Sequence, residues 1–173
     1  MDTRISAPAA PRRWDIRAAL RPYSGALALI AALFLADRGS KIAARHFLAG
    51  TDGVPLLPFF HLSYVENTGT AFGLFTGANA FFIAFTLAVL CYLAWNWRQL
   101  AEQLGGQTTL ALIAAGALGN LYDRVFIGRV IDFLDFRIWP VFNIADSCIC
   151  VGAACMALQM LRHGKDGTKE KAK

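Results

Sequence analysis

Long apolar runs alternate with short polar connections along this chain, and four of the runs approach the length of a bilayer crossing. They cover about 25–47, 78–97, 108–125 and 141–161, each close to the ~20 residues a helix needs to cross a hydrocarbon core. The first run is apolar only to Ala36 and then carries Asp37, Arg38, Lys41 and Arg45. Arg38 and Arg45 are long enough to snorkel toward an interface. Asp37 and Lys41 stand four apart, so they share a helix face and are expected to form a structural pair. Between the first and second runs, Phe59 to Asn67 is rich in aromatic and branched residues with partial alternation, the pattern of a strand or hairpin arm. Gly69 and Gly73 follow, suited to tight backbone turns. Val130 to Ile138 also reads as extended, with Phe133, Phe136 and Ile138 available for packing. The pattern predicts an all-α polytopic membrane protein: four transmembrane helices, with a small sheet on the outer surface against the helix ends that carry Asp123 and Asp146.

Composition and charge sharpen this reading. Of 173 residues, 56% are hydrophobic, and the mean hydropathy is +0.44, which is membrane-like rather than typical of a soluble domain. The formal charge of +5 gathers at the ends: five arginines up to Pro22 and five basic residues from Arg162. The connection from His46 to Asn79 has no Lys or Arg, and the one from Arg124 to Pro140 has three. The positive-inside rule then puts both termini in the cytoplasm. The division that follows is an N-terminal tail over 1–24, a four-span domain over 25–161 and a C-terminal tail over 162–173. The charged residues after the first apolar run, and the three runs beyond it, favour a retained span over a cleaved leader. Basic tails beside apolar segments suit anionic headgroups of membrane lipids, and no aromatic-interleaved basic groove suggests a nucleic-acid partner.

The candidate chemistry lies in aspartates. Asp123 closes the third run, Asp146 lies just inside the fourth, and Asp132 falls in the connection between them. Ionisable groups at membrane depth are costly and usually mark function. Asn120 precedes Asp123 by three, and Asn143 precedes Asp146 by three, so each pair shares a helix face. An asparagine can orient a carboxylate, and two close carboxylates cannot both ionise easily, so one can act as base while the other holds a proton. Spacing alone favours Asp123 with Asp146. Asp123 next to Arg124 also reads as a structural ion pair, Glu66 as a strand-end charge and Asp135 as a solvated loop acid. Ser147 has no histidine nearby in sequence. Cys91, Cys148, Cys150 and Cys155 lie in apolar runs without basic or ligand partners, so they read as small packing residues, and neither a metal nor a cofactor is expected. The other class of function open to these acids is a proton relay in a small proton-coupled transporter. Transporter sites sit near the midplane, whereas these acids cluster at one edge.

Five blocks in order resemble the lipoprotein signal peptidase (signal peptidase II) family. They are Asp37-Arg38-Gly39-Ser40-Lys41, Asn67-Thr68-Gly69-Thr70-Ala71-Phe72-Gly73, Gly119 to Arg124, Val130 to Phe133, and Phe142 to Ser147. The resemblance implies an aspartyl endopeptidase of the bacterial inner membrane, with its active site near the periplasmic face. Its substrates would be diacylated prolipoproteins, cut before the lipidated cysteine, and cyclic peptides of the globomycin type would inhibit it. It implies a small periplasmic sheet, a peripheral helix, and Asp132 with Asp146 as the catalytic pair. Asn67, Gly69, Asn120, Asp123, Arg124 and Asn143 fall at binding or supporting positions. A monomer suffices for this scheme. The strand around Phe59–Asn67 is expected to hold an extended substrate by β-addition.

Overall fold

The computed structural model describes residues 21–69, 79–104 and 106–170, with side chains described as far as Leu161 in the last helix. Both tails, and Thr70 to Gly73 of the second block, lie wholly or partly outside the described residues.

Four long helices coincide with the four apolar runs. After a 3₁₀ turn at Arg21–Tyr23, α1 spans Ser24–Leu48. Strands β1 (Val54–Leu57) and β2 (Phe60–Asn67) follow. Helix α2 (Asn79–Trp95) is followed by a short α3 (Trp97–Gln103), and α4 spans Gln107–Phe126. Strand β3 (Val130–Asp135) then leads to α5 (Ile144–Glu170). The last helix therefore runs into the segment expected as a C-terminal tail. The described short helix, α3, is bent by 80° from α2 and lies at the end of the bundle away from the sheet, where Arg98 meets Tyr23 and Gln107 meets Pro22.

The sheet is antiparallel in the order β1-β2-β3. It sits on the end of α1, where Ala44, Leu48 and Phe133 form a buried cluster with Leu62, Tyr64, Leu134 and Ile144 packed against it. β2 is the centre strand, with β3 along one edge and β1 against Phe60, His61 and Leu62 on the other, so the expected β-addition is excluded at that end of the strand. The outer edge of β3 is partly occupied as well. The Ile131 N–H donates to Asp123, the Ile131 carbonyl accepts from Asn143, and Leu134 pairs with Phe142. This last bridge closes the short connection between β3 and α5, so Asp132 and Asn143 are held side by side.

Helices α4 and α5 pack antiparallel and very close. A Cβ at Gly119 would lie 2.6 Å from an Asp37 carboxylate oxygen and 3.1 Å from the Ala145 Cβ. Glycine is required there because three elements converge on one point, the small-residue logic of helix contact in lipid. At the end of α4, Gly128 adopts φ +83° and the Asp123 carbonyl accepts from both Ile127 and Gly128, a glycine-stopped helix end that turns the chain into β3.

The distribution of polarity is inverted relative to a soluble bundle. Leu35, Ile42, Phe81, Phe85, Phe126 and Leu158 are exposed on the outside, while Asp37, Lys41, Asp123, Asn120 and Asn143 are buried. An apolar exterior around a charged interior suits a hydrocarbon solvent. By length and composition alone, one described helix can cross a membrane, over Ile144–Leu161, and a second can if α2 and α3 count as one bent span. In α1, three charged residues (Asp37, Arg38 and Lys41) interrupt the apolar run, and they face the bundle interior.

Candidate active site

A buried ion network holds the helices in register. The Lys41 ammonium lies 2.9 Å from Asp37 and 2.8 Å from Asp123, and it donates to the Asn120 side-chain oxygen at 3.1 Å. The ammonium thus donates to one amide oxygen and is held between two carboxylates as an ion pair with each. Asp37 pairs with Lys41 as its spacing predicts. It also accepts the Ala145 N–H at 3.0 Å, which anchors the first turn of α5, where a helix favours negative charge. Arg38 does not snorkel to an interface. Its guanidinium binds Asp123 and lies over the Tyr122 ring at 4.4 Å. The expected Asp123–Arg124 pair is therefore replaced by an Asp123–Arg38–Lys41 cluster. Arg124 turns instead toward the Phe82 ring and the cleft described below.

The asparagines serve partners across elements. Asn143 and Asp146 do pair: Asp146 N–H donates to Asn143 Oδ1 at 2.9 Å, and Asn143 N–H donates to Asp146 Oδ2 at 3.3 Å. This is a reciprocal cap at the start of α5. The Asn143 side-chain amide reaches the other way, donating to Asp132 Oδ1 at 2.6 Å. Asn120 does not serve Asp123. It donates across the helix interface to Asp146 Oδ1 at 2.7 Å. Asn67 donates to Asp132 Oδ2 at 3.0 Å, and its own oxygen accepts the Gly69 N–H at 3.0 Å.

Each of Asp132 and Asp146 therefore accepts two hydrogen bonds, and both touch Asn143. Asp132 is 2% exposed. Burial, then the nearby Asp146 charge, push its carboxyl up to about 6, against the pull of the Asn67 and Asn143 amides. Asp123 belongs to a different group. It is fully buried, paired with two cations, and braces β3 through Ile131.

Asp132 and Asp146 face one cleft of about 690 Å³. Asn67, Gly69, Asn120 and Arg124 also line it, as do Phe136, Ile138, Trp139 and Phe142 from the β3–α5 connection, and Ser147 and Cys150 from α5. Trp139, passed over in the sequence, had a usable signal in its place in the short connection beside the acids; Cys150, read there as a packing residue, instead lines the cleft one helical turn beyond Asp146. Asp135 is not a solvated loop acid. It is 7% exposed and accepts from Ser63 at 2.9 Å and from the Arg137 N–H at 2.8 Å. That holds Arg137 at φ +64° and turns the chain at the rim of the cleft. Glu66 is paired with Arg129 at 3.2 Å.

A helical bundle with a charged interior, an apolar exterior and two carboxylates held by one asparagine, through its side-chain amide and its backbone N–H, has the form of a membrane enzyme. Two solved structures share this fold. Both are described as bacterial membrane enzymes determined by the in meso method. One, at 2.3 Å resolution, has a TM-score of 0.77 at 28% identity, covering 82% of this chain and 90% of that one. The other, at 1.9 Å resolution, has a TM-score of 0.69 at 28% identity, covering 79% and 92%. Residues 29–162 match the family described as Signal peptidase (SPase) II. The chain belongs to that family and is a peptidase. Among its relatives, the lipoprotein signal peptidase of Halothermothrix orenii is 40% identical, covering 78% of this chain and 94% of that protein. The enzyme of the same name from Geobacter metallireducens is 38% identical, covering 87% and 99%. The transporter reading gains nothing from these relatives.

Proposed function

We propose that Asp132 and Asp146 are the catalytic pair with which this peptidase removes signal peptides from diacylglyceryl-modified prolipoproteins, cutting before the lipidated cysteine. The observation that carries this reading is the convergence of two carboxylates on Asn143 and on one cleft, with Asp132 raised to about 6. Two close carboxylates share a proton. The ionised one takes a proton from water as the water attacks the scissile carbonyl, while the protonated one donates its proton to the carbonyl oxygen; as the diol collapses, the first delivers its proton to the leaving amine and the second recovers one from the diol. The titration belongs to the pair, so neither role is assigned to one residue. Asn67, Asn120 and Asn143 orient the pair, Arg124 and Gly69 line the cleft beside it, and Asp123 braces the strand that carries Asp132.

In this reading the four long helices cross the inner membrane of a bacterium, both termini are cytoplasmic, and the sheet and cleft lie at the periplasmic face. The substrate's acyl chains remain in lipid while its peptide reaches the acids at the water-accessible edge. A cyclic peptide of the globomycin type would compete for the same cleft. One chain supplies every residue of the site, so a monomer is sufficient.

The test uses purified parent, Asp132→Asn and Asp146→Asn proteins with a diacylated prolipoprotein. Each variant should cleave roughly 10²–10⁴-fold more slowly with unchanged melting or slightly higher stability. Full activity in either variant would remove it from the catalytic pair.

A further inference from the structure

A second cavity lies at the opposite end of the bundle. It holds about 540 Å³ between the start of α1 and the α2–α3 bend, lined by Ala26, Leu27 and Ile30 of α1, by Ala94 of α2, and by Tyr23, Trp97 and Arg98. We propose that this cavity binds one anionic phospholipid, an acyl chain lying against the apolar wall and the phosphate at Arg98.

Three observations support that occupant. The wall is apolar and opens on the apolar exterior of the bundle, where Trp95 is 90% exposed. Arg98 uses its Nε to reach the Tyr23 hydroxyl at 2.7 Å, and among the described residues it forms no ion pair. Its two terminal nitrogens, four N–H donors, are left for an acceptor, and a guanidinium suits a phosphate. Trp97 supplies a further donor: its indole Nε1 is shielded from solvent and has no acceptor among the described residues. A buried donor without a partner is costly, and a phosphate or ester oxygen in the cavity would satisfy it. Glu102 lines a neighbouring hollow together with Arg98, and among the described residues the two form no ion pair.

Trp, Tyr and Arg at a bundle end are the residues of a membrane interface. The proposal rests on the orientation given above, in which this end faces the cytoplasmic leaflet, where anionic lipid is concentrated. The chain's own N-terminal segment is disfavoured as occupant, because its arginines carry the same sign as Arg98.

The full chain in detergent is incubated with equal amounts of phosphatidylglycerol and phosphatidylcholine, and retained lipid is read by native mass spectrometry. The parent should retain phosphatidylglycerol by roughly fivefold over phosphatidylcholine, the effect of one cation at an anionic headgroup. Arg98→Gln should bring that ratio near one, and Arg98→Lys should keep most of it. Ala94→Trp, which fills the cavity, should lose both lipids. Prolipoprotein cleavage in detergent and melting temperature should be unchanged in all three. Equal retention of the two lipids by the parent, a preference that survives Arg98→Gln, or retention that survives Ala94→Trp would each overturn the proposal. Lipid retention and cleavage are read separately, so a parent that binds lipid but does not cleave counts against the peptidase reading alone.

Discussion

Lys41 donates to the Asn120 side-chain oxygen at 3.1 Å and thereby fixes which way that amide points. With its oxygen committed to the ammonium, Asn120 presents its NH₂ to Asp146 at 2.7 Å. A charge on the first helix thus orients a carboxylate on the last one through an amide on the helix between them.

Asn120→Ala removes that donor and one acceptor of Lys41, while both carboxylate partners of Lys41 stay in place. A hydrogen bond to a charged group contributes about 1.5–3 kcal/mol, so kcat should fall roughly 10–100-fold. KM should change little, because the lost contact is to the carboxylate rather than to substrate. Steady-state kinetics on a lipidated peptide would separate the two constants, and a change confined to KM would contradict the orienting role.

Lys41→Met leaves Asp37 and Asp123 buried beside each other with one cation, Arg38, for two carboxylates. Breaking a buried pair in this way costs about 3–5 kcal/mol. The expected result is a large drop in thermal stability together with lost activity. Asp132→Asn, by contrast, should lose activity without losing stability. Melting curves of the two variants in the same detergent distinguish bracing residues from reacting ones.

Gly119→Ala would push a methyl group against Asp37 and Ala145. Overpacking of this kind costs about 1–3 kcal/mol. Gly39→Ala on α1 meets nothing within 4 Å, and it should be neutral or stabilising by up to ~1 kcal/mol from helix propensity. The melting temperature should therefore fall for Gly119→Ala and hold or rise for Gly39→Ala.

The pH dependence follows from Asp132. Its carboxyl is pushed from 3.8 up to about 6 in the folded protein. The folded protein therefore binds more protons than the unfolded chain between those values, and stability falls as pH rises through that window. The cost, on the order of 3 kcal/mol, is fully present above about pH 6 and absent below about pH 4. Asp132→Asn should flatten this part of the stability profile. Cleavage should fall on the alkaline side as the shared proton is lost, giving an apparent pKa of the pair at or above about 6.

Much of the molecule is legible along the chain. The helices begin and end within a few residues of the apolar runs, except that the last continues to Glu170, because run length and hydropathy are local properties. The strand at Phe60–Asn67 and the Asp37–Lys41 pair follow from periods of two and four. The five motif blocks identify the family and bring Asp132 forward, a residue that spacing alone left behind Asp123.

Other features depend on which elements meet. Two Asn–Asp pairs with the same spacing behave differently: Asn143 caps the helix of its own Asp146, while Asn120 bonds to Asp146 and leaves Asp123 to Arg38 and Lys41. Sequence spacing reports which side chains share a face, and it contains nothing about the face opposite. Asp135 is buried because Ser63 and Arg137 close around it, and β2 is a centre strand because β1 folds onto its other side. The sequence by itself determined the run lengths, the charge placement and the set of acids and amides. The tertiary structure decided which acid faces cations and which faces the cleft, because the cost of a buried charge depends on the partners that packing brings to it.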